Sequence, residues 1–363
     1  MQNYELILKA PISNSFMAKK AMQSVDLDAE EKSWHKLSIK NVDIDSPFNV
    51  GLIYGASGSG KSSLARKMFG DFEDSKIDMT KAIIDQFPEE MEYEERQQYL
   101  TSIGLSQIPC WIKPVGLLSN GQQERAKIAF ELARKKDIYV FDEWTSVVDR
   151  NVAKVMSHAV QKFARKFNKK IILISCHEDV HDWLNPDFVI NCNDQQFVDR
   201  RSLWREFKRT EQIEFTVREI DKRTWKNFSK YHYLSEKLAG GFGLYYGIFL
   251  GDKQIGFCAF SNYVPHRKGT KKILHFNRLV IHPDYVGLSL GIKFVDCVAK
   301  FLKEKKFRVM GKFSSTPVLK ALLKNKNWVF GGKIKIANMT GDNMKRKGGF
   351  REKVTCYTFE YVG

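Results

Sequence analysis

The sequence has six cysteines and no C-x-x-C pair; Cys110, Cys176, Cys192, Cys258, Cys297 and Cys356 stand far apart. That spacing excludes a zinc ribbon and offers no disulfide frame, so reduced thiols are expected. Long apolar runs are missing as well. A membrane helix needs about 20 consecutive apolar residues, and the uncharged run 240–251 is short and broken by glycine. The opening MQNYELILKAP lacks a basic stretch followed by a long apolar one, so no secretory signal is read, and a cytoplasmic protein with no membrane partner is expected. Acidic residues are scarce in one half alone. Residues 211–363 hold 29 Lys and Arg against 12 Asp and Glu, a net of +17 that equals the charge of the whole chain. Any polyanion is therefore attracted to the second half, while the first 210 residues are neutral.

A length of 363 residues with 43% hydrophobic content suits two domains with real cores. The change in composition sets them at residues 1–205 and 206–363.

The chain is organised around NVGLIYGASGSGKSS, residues 49–63. An apolar strand runs into Gly55-Ala56-Ser57-Gly58-Ser59-Gly60-Lys61-Ser62-Ser63, which fits G-x-x-x-x-G-K-[ST] at every fixed position. This is a P-loop. Its glycines let backbone N–H groups curl round a phosphate, and the helix read over 62–69 begins where its free amides face the anion. Lys61 would reach the β- and γ-phosphates and Ser62 would ligate Mg²⁺.

Around it the pattern predicts strands at 4–8 and 37–42, a helical acidic stretch at 16–36, a short strand at 82–84 and a polar helix at 89–100. LLSNGQQERAKIAFELARK places Ser119, Gly121 and Gln122 before a helix with an apolar stripe at Ile128, Ala129, Leu132 and Ala133. Strand 138–141 ends at Asp142-Glu143, then come Ser146-Val147-Val148-Asp149, a helix over 151–167, strand 171–175 and His177. Alternating strands and helices indicate a layered α/β domain.

Together these residues resemble the ATP-binding cassette (ABC) ATPases over about residues 1–200. The P-loop, LSNGQ, IYVFDE, SVVD and His177 follow that family's order. A carboxylate pair closing a strand is commonly a mere cap, but five motifs in sequence are not. The resemblance implies ATP and Mg²⁺ as cofactors, Asp142 in the metal shell, and Glu143 beside it acting on the attacking water. It implies His177 as a switch residue, Asp149 in the D-loop as a nucleotide-binding residue, and Ser119, Gly121 and Gln122 on the nucleotide of a second subunit, hence an ATP-dependent homodimer. Gln86 is the candidate for the family's glutamine at the metal, with Gln107 as its rival. Only 58 positions separate Lys61 from Ser119, fewer than transporter subunits usually carry, which argues against transport. The sequence does not locate an aromatic for the adenine.

In the second half, a strand at 213–220, a helix at 222–233, a hairpin of 244–250 and 254–260, a strand at 273–281, a helix from 292, a strand at 308–314, a helix at 316–323 and a last strand at 354–361 are read. This order resembles the GNAT-type acyltransferases, which implies an α+β fold and a loop after the corresponding strand that grips acetyl-CoA. Here the loop and helix start are Val286, Gly287, Leu288, Ser289, Leu290 and Gly291; Val286 stands where Gln or Arg is usual and Ser289 replaces a glycine. Acetyl-CoA or another acyl-CoA is the implied donor. From end to end the chain is similar to ABC-type ATPases fused to a predicted acetyltransferase domain. The second half also looks like Mom-type phage DNA-modification proteins, in which a His-Tyr pair acts; here that is His232-Tyr233 in KYHYLS. Basic loops at 266–272 and 345–353 would contact phosphates while aromatics stack a base.

The expectation is an ATPase coupled to acyl transfer onto nucleic acid, DNA before RNA. The alternatives are acetylation of a protein or small amine, and a non-catalytic nucleic-acid-binding module.

Overall fold

The computed structural model describes residues 1–9, 13–24, 34–72, 76–201, 213–232, 238, 243–262, 272–286, 290–314, 316–336 and 354–363. The chain divides into two compact units, Met1–Leu105 with Cys110–Gln212, and Ser106–Pro109 with Ile213–Gly363. The expected junction at 205/206 lies outside the described residues.

The first unit opens with β1 (Gln2–Lys9), α1 (Phe16–Gln23) and β2 (Trp34–Val42), β1 and β2 pairing antiparallel. There follow β3 (Val50–Tyr54), α2 (Lys61–Phe69), α3 (Tyr93–Ser102), α4 (Asn120–Ala133), β4 (Ile138–Phe141), α5 (Arg150–Lys166), β5 (Lys170–Ser175), α6 (Val180–Leu184), β6 (Phe188–Asn191) and β7 (Gln196–Asp199). VGLIY, KIILIS and FVIN are apolar almost throughout, the pattern of strands covered on both faces. They form a sheet ordered β4-β5-β3-β6-β7, parallel except for the β6–β7 hairpin. Alternation along β5 divides two cores. Ile171 and Leu173 join the one that includes Ala129 and Val160, and Ile172 and Ile174 the one that includes Leu37 and Leu64. Asp187 pins the start of β3: its carboxylate accepts the N–H groups of Asn49 and Val50 at 2.7 and 2.8 Å.

Four expectations change here. The helix read over 16–36 stops at Gln23, and β2 already occupies Trp34 onward. The strand read at 82–84 is a 3-10 turn over Ile83–Asp85, because only Ala82 finds a bridging partner, Pro114. The polar helix starts at Tyr93, not residue 89. β7 arises in a polar stretch where no strand is read from the sequence.

The second unit comprises β8 (Thr216–Glu219), α7 (Trp225–Phe228), β9 (Gly243–Leu250), β10 (Lys253–Ser261), β11 (Ile273–Ile281), α8 (Leu290–Glu304), β12 (Arg308–Phe313), α9 (Thr316–Leu323), β13 (Trp328–Ile336) and β14 (Val354–Tyr361). Their sheet runs β13-β14-β12-β11-β10-β9-β8. All its pairs are antiparallel except β11 with β12, which the amphipathic α8 connects. The helix read over 222–233 breaks into a 3-10 turn, α7 and a second 3-10 turn over Ser229–Tyr231. β13 was not expected at all. Among the described residues, no helix is long and apolar enough to cross a membrane.

Candidate nucleotide site and the second unit

Registers bring the motifs of the first unit to one edge. Tyr54 pairs with Ser175, and Phe141 with Leu173 on the other side of β5. The P-loop, Asp142-Glu143 and His177 therefore leave neighbouring strands at their carboxyl ends, where open α/β sheets bind ligands.

The P-loop is a cradle of turns. Gly58 and Gly60 adopt φ of 79° and 86°, which L side chains rarely take. Ser59 N–H donates to Ala56 O at 3.2 Å, and Ala56 N–H to Asn193 Oδ1 at 2.8 Å, tying the loop to the end of β6. Lys61 Nζ donates to Ala56 O at 2.7 Å, so the ammonium lies across the loop it would serve. Ser59 Oγ is buried without a hydrogen-bond partner among the described residues. An orphan hydroxyl within a glycine-lined cradle, a lysine over it and the first turn of α2 with Ser62 and Ser63 fit a phosphate chain. Ser57 is exposed at the loop's crest and Gly55 buried at its base. Burial pushes the Cys192 thiol behind the loop up to about 11, with Lys61 pulling weakly the other way.

Asp142 is half-buried and accepts Glu143 N–H at 2.9 Å; Glu143 is exposed. Glu143 and Thr145 take φ of 50° and 66°, a strained backbone for a β-branched residue and the kind that collects at working sites. Trp144 between them is anchored, N–H to Ile174 O at 2.7 Å and Nε1 to Ser157 Oγ at 3.0 Å. Among the described residues no group of three or more His, Cys, Asp or Glu can hold a metal. The Ser62 hydroxyl and Asp142 carboxylate suit a Mg²⁺ that takes its remaining oxygens from phosphate and water.

Other expected ligands already have structural partners. Gln86 Oε1 accepts Asp78 N–H at 2.8 Å and its Nε2 donates to Asp78 O at 3.0 Å, so the amide holds its own loop closed. Gln107 lies in the segment grouped with the second unit. Ser119 is the N-cap of α4, and Gln122, 8% exposed, accepts Ser119 N–H at 3.2 Å. The sequence S-N-G-Q is itself a capping-box pattern, a signal that the motif reading overlooked. Gly121 is buried, which leaves the Ser119 end of α4 as the outward part. Asp149 caps α5 through Asn151 and Val152 N–H at 3.0 and 3.1 Å.

One feature the sequence reading missed is Leu8, whose side chain lies against Gly60; it pairs with His35, whereas the exposed Trp34 pairs with Lys9 and so stands on the other face of the strands.

In the second unit, β11 and β12 pair only over Ile273–His275 and Arg308–Met310, then part. At the parting β11 carries a bulge: Ala259 pairs with Arg278 and Phe260 with Phe276, leaving Asn277 between. Asn277 Nδ2 donates to Ser261 Oγ at 2.9 Å. Phe276 stacks on Phe313 with centroids 4.9 Å apart. Gly291, at the start of α8, lies so near β11 that a Cβ would be 3.1 Å from Leu279 Cδ2, a packing role. Val286 closes a 3-10 turn and Leu290 is buried. Tyr233, Gly287, Leu288 and Ser289 lie outside the described residues, as do 266–271 and 345–353 of the basic loops. His232 packs edge-on to Trp225 at 5.7 Å. A hydrogen-bonded tyrosine–histidine pair that the sequence did not suggest is Tyr231 Oη with His282 Nε2, 3.2 Å apart. Asp284 N–H donates to His282 Nδ1 at 3.3 Å, and the Asp284 carboxylate stands 3.6 Å from the same nitrogen.

No family model matches the chain. A Mesomycoplasma hyorhinis protein named as an ABC transporter ATP-binding protein, p29, is 31% identical over 84 residues, 23% of this chain and 33% of its own length. The chain thus spans about a third of that relative. The energy-coupling factor transporter ATP-binding protein EcfA1 of Leuconostoc mesenteroides subsp. mesenteroides is 26% identical over 201 residues, 44% of this chain and 72% of that protein. Among solved structures, cbiO1 from Clostridium perfringens, part of the ABC transporter complex cbiONQ, is 18% identical with a TM-score of 0.36, covering 48% of this chain and 84% of its own. A structure named as a phosphinothricin N-acetyltransferase is 12% identical with a TM-score of 0.32, covering 41% of this chain and 99% of its own. Over the matched stretches the chain is similar to ABC-type ATP-binding proteins.

Proposed function

We propose that the first unit binds and hydrolyses ATP with Mg²⁺, and that two copies of the chain close over the nucleotide. The observation that carries this is the meeting of the P-loop, Asp142-Glu143 and His177 at the ends of three adjacent strands. Lys61 and the loop amides hold the phosphates, Ser62 and Asp142 hold the cation, and Glu143 takes the proton of the attacking water. His177 contacts the charge that builds on the leaving side, and the Ser119 end of α4 serves the nucleotide of the second copy. Glu143→Gln should keep ATP binding, slow turnover by roughly 10²-fold, the scale of a positioned base, and accumulate a dimer in sedimentation with ATP. A monomeric variant hydrolysing at the wild-type rate would remove the assignment.

The second unit, on this reading, transfers an acyl or related group from an acyl-CoA to nucleic acid, DNA before RNA. In such a transfer an amine of the acceptor forms the new C–N bond, the thioester C–S bond breaks, and the amine proton passes to the departing thiolate. The parting of β11 from β12 beside the Asn277 bulge supports a donor slot, and the +17 charge supports a polyanionic acceptor. Intact-mass analysis of nucleosides from cells with and without the protein tests it. Unchanged nucleosides with acetylated protein or amine would transfer the reading to those acceptors.

A further inference from the structure

The segments that follow β4 and β5 are joined twice. The inner join is buried: Ser175 Oγ donates to Trp144 O at 3.3 Å and accepts His177 N–H at 3.1 Å. The outer join is made by Arg150, the first residue of α5. Its guanidinium forks onto Asp179, Nε to Oδ2 at 3.0 Å and Nη2 to Oδ1.

Two aspartates stand at neighbouring helix starts, and they are used differently. Asp149 caps α5, as its position demands. Asp179 stands at the N-cap of α6, yet its side chain accepts nothing from that helix and is committed to Arg150. Trp183 of α6 lies against the same guanidinium, with Arg150 Cζ 4.9 Å from the ring centroid. The SVVD segment, which ends at Asp149, is thereby fastened to the segment that carries His177 two residues before Asp179. Both partners are part-exposed, at 39% and 49%. An exposed pair adds little stability; a bidentate fork fixes direction as well as distance.

We propose that Arg150 and Asp179 are positioning residues that hold the SVVD segment, which follows Asp142-Glu143, and the segment of His177 as one body, so that the histidine keeps its place relative to those carboxylates. This rests on the ATPase reading of the first unit. Neither residue touches nucleotide; both act through His177.

In the full-length chain, Arg150→Gln and Asp179→Asn should each lower kcat for ATP by roughly tenfold, less than the ~10² that a 1 Å misplacement can cost. KM should stay within about twofold, since ground-state binding is untouched. The double variant should fall no further than either single one, and the reversed pair Arg150→Asp with Asp179→Arg should recover activity by about threefold or more, as coupled residues do. Additive losses, wild-type kcat in either single variant, or no recovery in the reversed pair would overturn the proposal. A second measurement needs no turnover. Hydrogen exchange should quicken at residues 177–180 in Arg150→Gln and at 146–152 in Asp179→Asn; unchanged exchange across the fork overturns the proposal by itself. A wild-type chain without ATPase activity would sink the ATPase reading, and the exchange result would still decide whether the fork joins the two segments.

Discussion

Leu8 of β1 presses on the P-loop so closely that a Cβ on Gly60 would lie 2.4 Å from Leu8 Cδ1. The first strand pair is thus the wall of the phosphate cradle, and the glycine answers both to that wall and to its φ of 86°.

Gly60→Ala should cost roughly tenfold or more in ATP affinity by calorimetric titration, because left-handed backbone costs about 1–2 kcal/mol for an L residue. Adding Leu8→Ala should restore little. The leucine tip can move, but φ remains. Full recovery in the double variant would show that the contact alone governs this position.

Ser119 is expected to act on the nucleotide of the other copy. Lys61→Ala chains and Ser119→Arg chains, each inactive alone, should regain part of the ATPase activity when mixed, since one composite site in the heterodimer is intact. Heterodimers that form and remain inactive would assign the loop to its own subunit or to none.

The P-loop was legible in the sequence because everything that defines it is local: an uncharged strand, glycines where φ must be positive, and a helix directly after. The wall at Leu8 was not, because only the fold brings β1 against Gly60. Gln86 shows the opposite limit. It follows an apolar pair as expected, but its amide is satisfied by backbone groups of residues 78–82, and sequence spacing says nothing of that. In the second unit, hydrophobic alternation located β9, β10 and β11. It could not show where β11 parts from β12, which depends on how long two strands stay paired. β13 escaped notice because WVFGGKIKI interrupts its apolar residues with glycines and lysines.

The charge of the second half gives the most exposed expectation. Phosphate contacts release counterions, so affinity of the full chain for DNA should fall by about 10³–10⁵ between 50 and 200 mM salt if six to ten phosphates are neutralised. Replacing Lys345, Arg346 and Lys347 by Gln should weaken binding on all sequences alike and flatten the salt slope, because backbone contacts carry no sequence information. His232→Ala and Tyr233→Phe should leave most of that affinity intact while abolishing base modification, since such groups act on the reacting base. The two outcomes separate cleanly. Salt-independent or absent binding would remove nucleic acid as the acceptor. Intact modification in the His232 and Tyr233 variants would instead move the chemistry to other groups, and the hydrogen-bonded Tyr231 and His282 would be the next to replace.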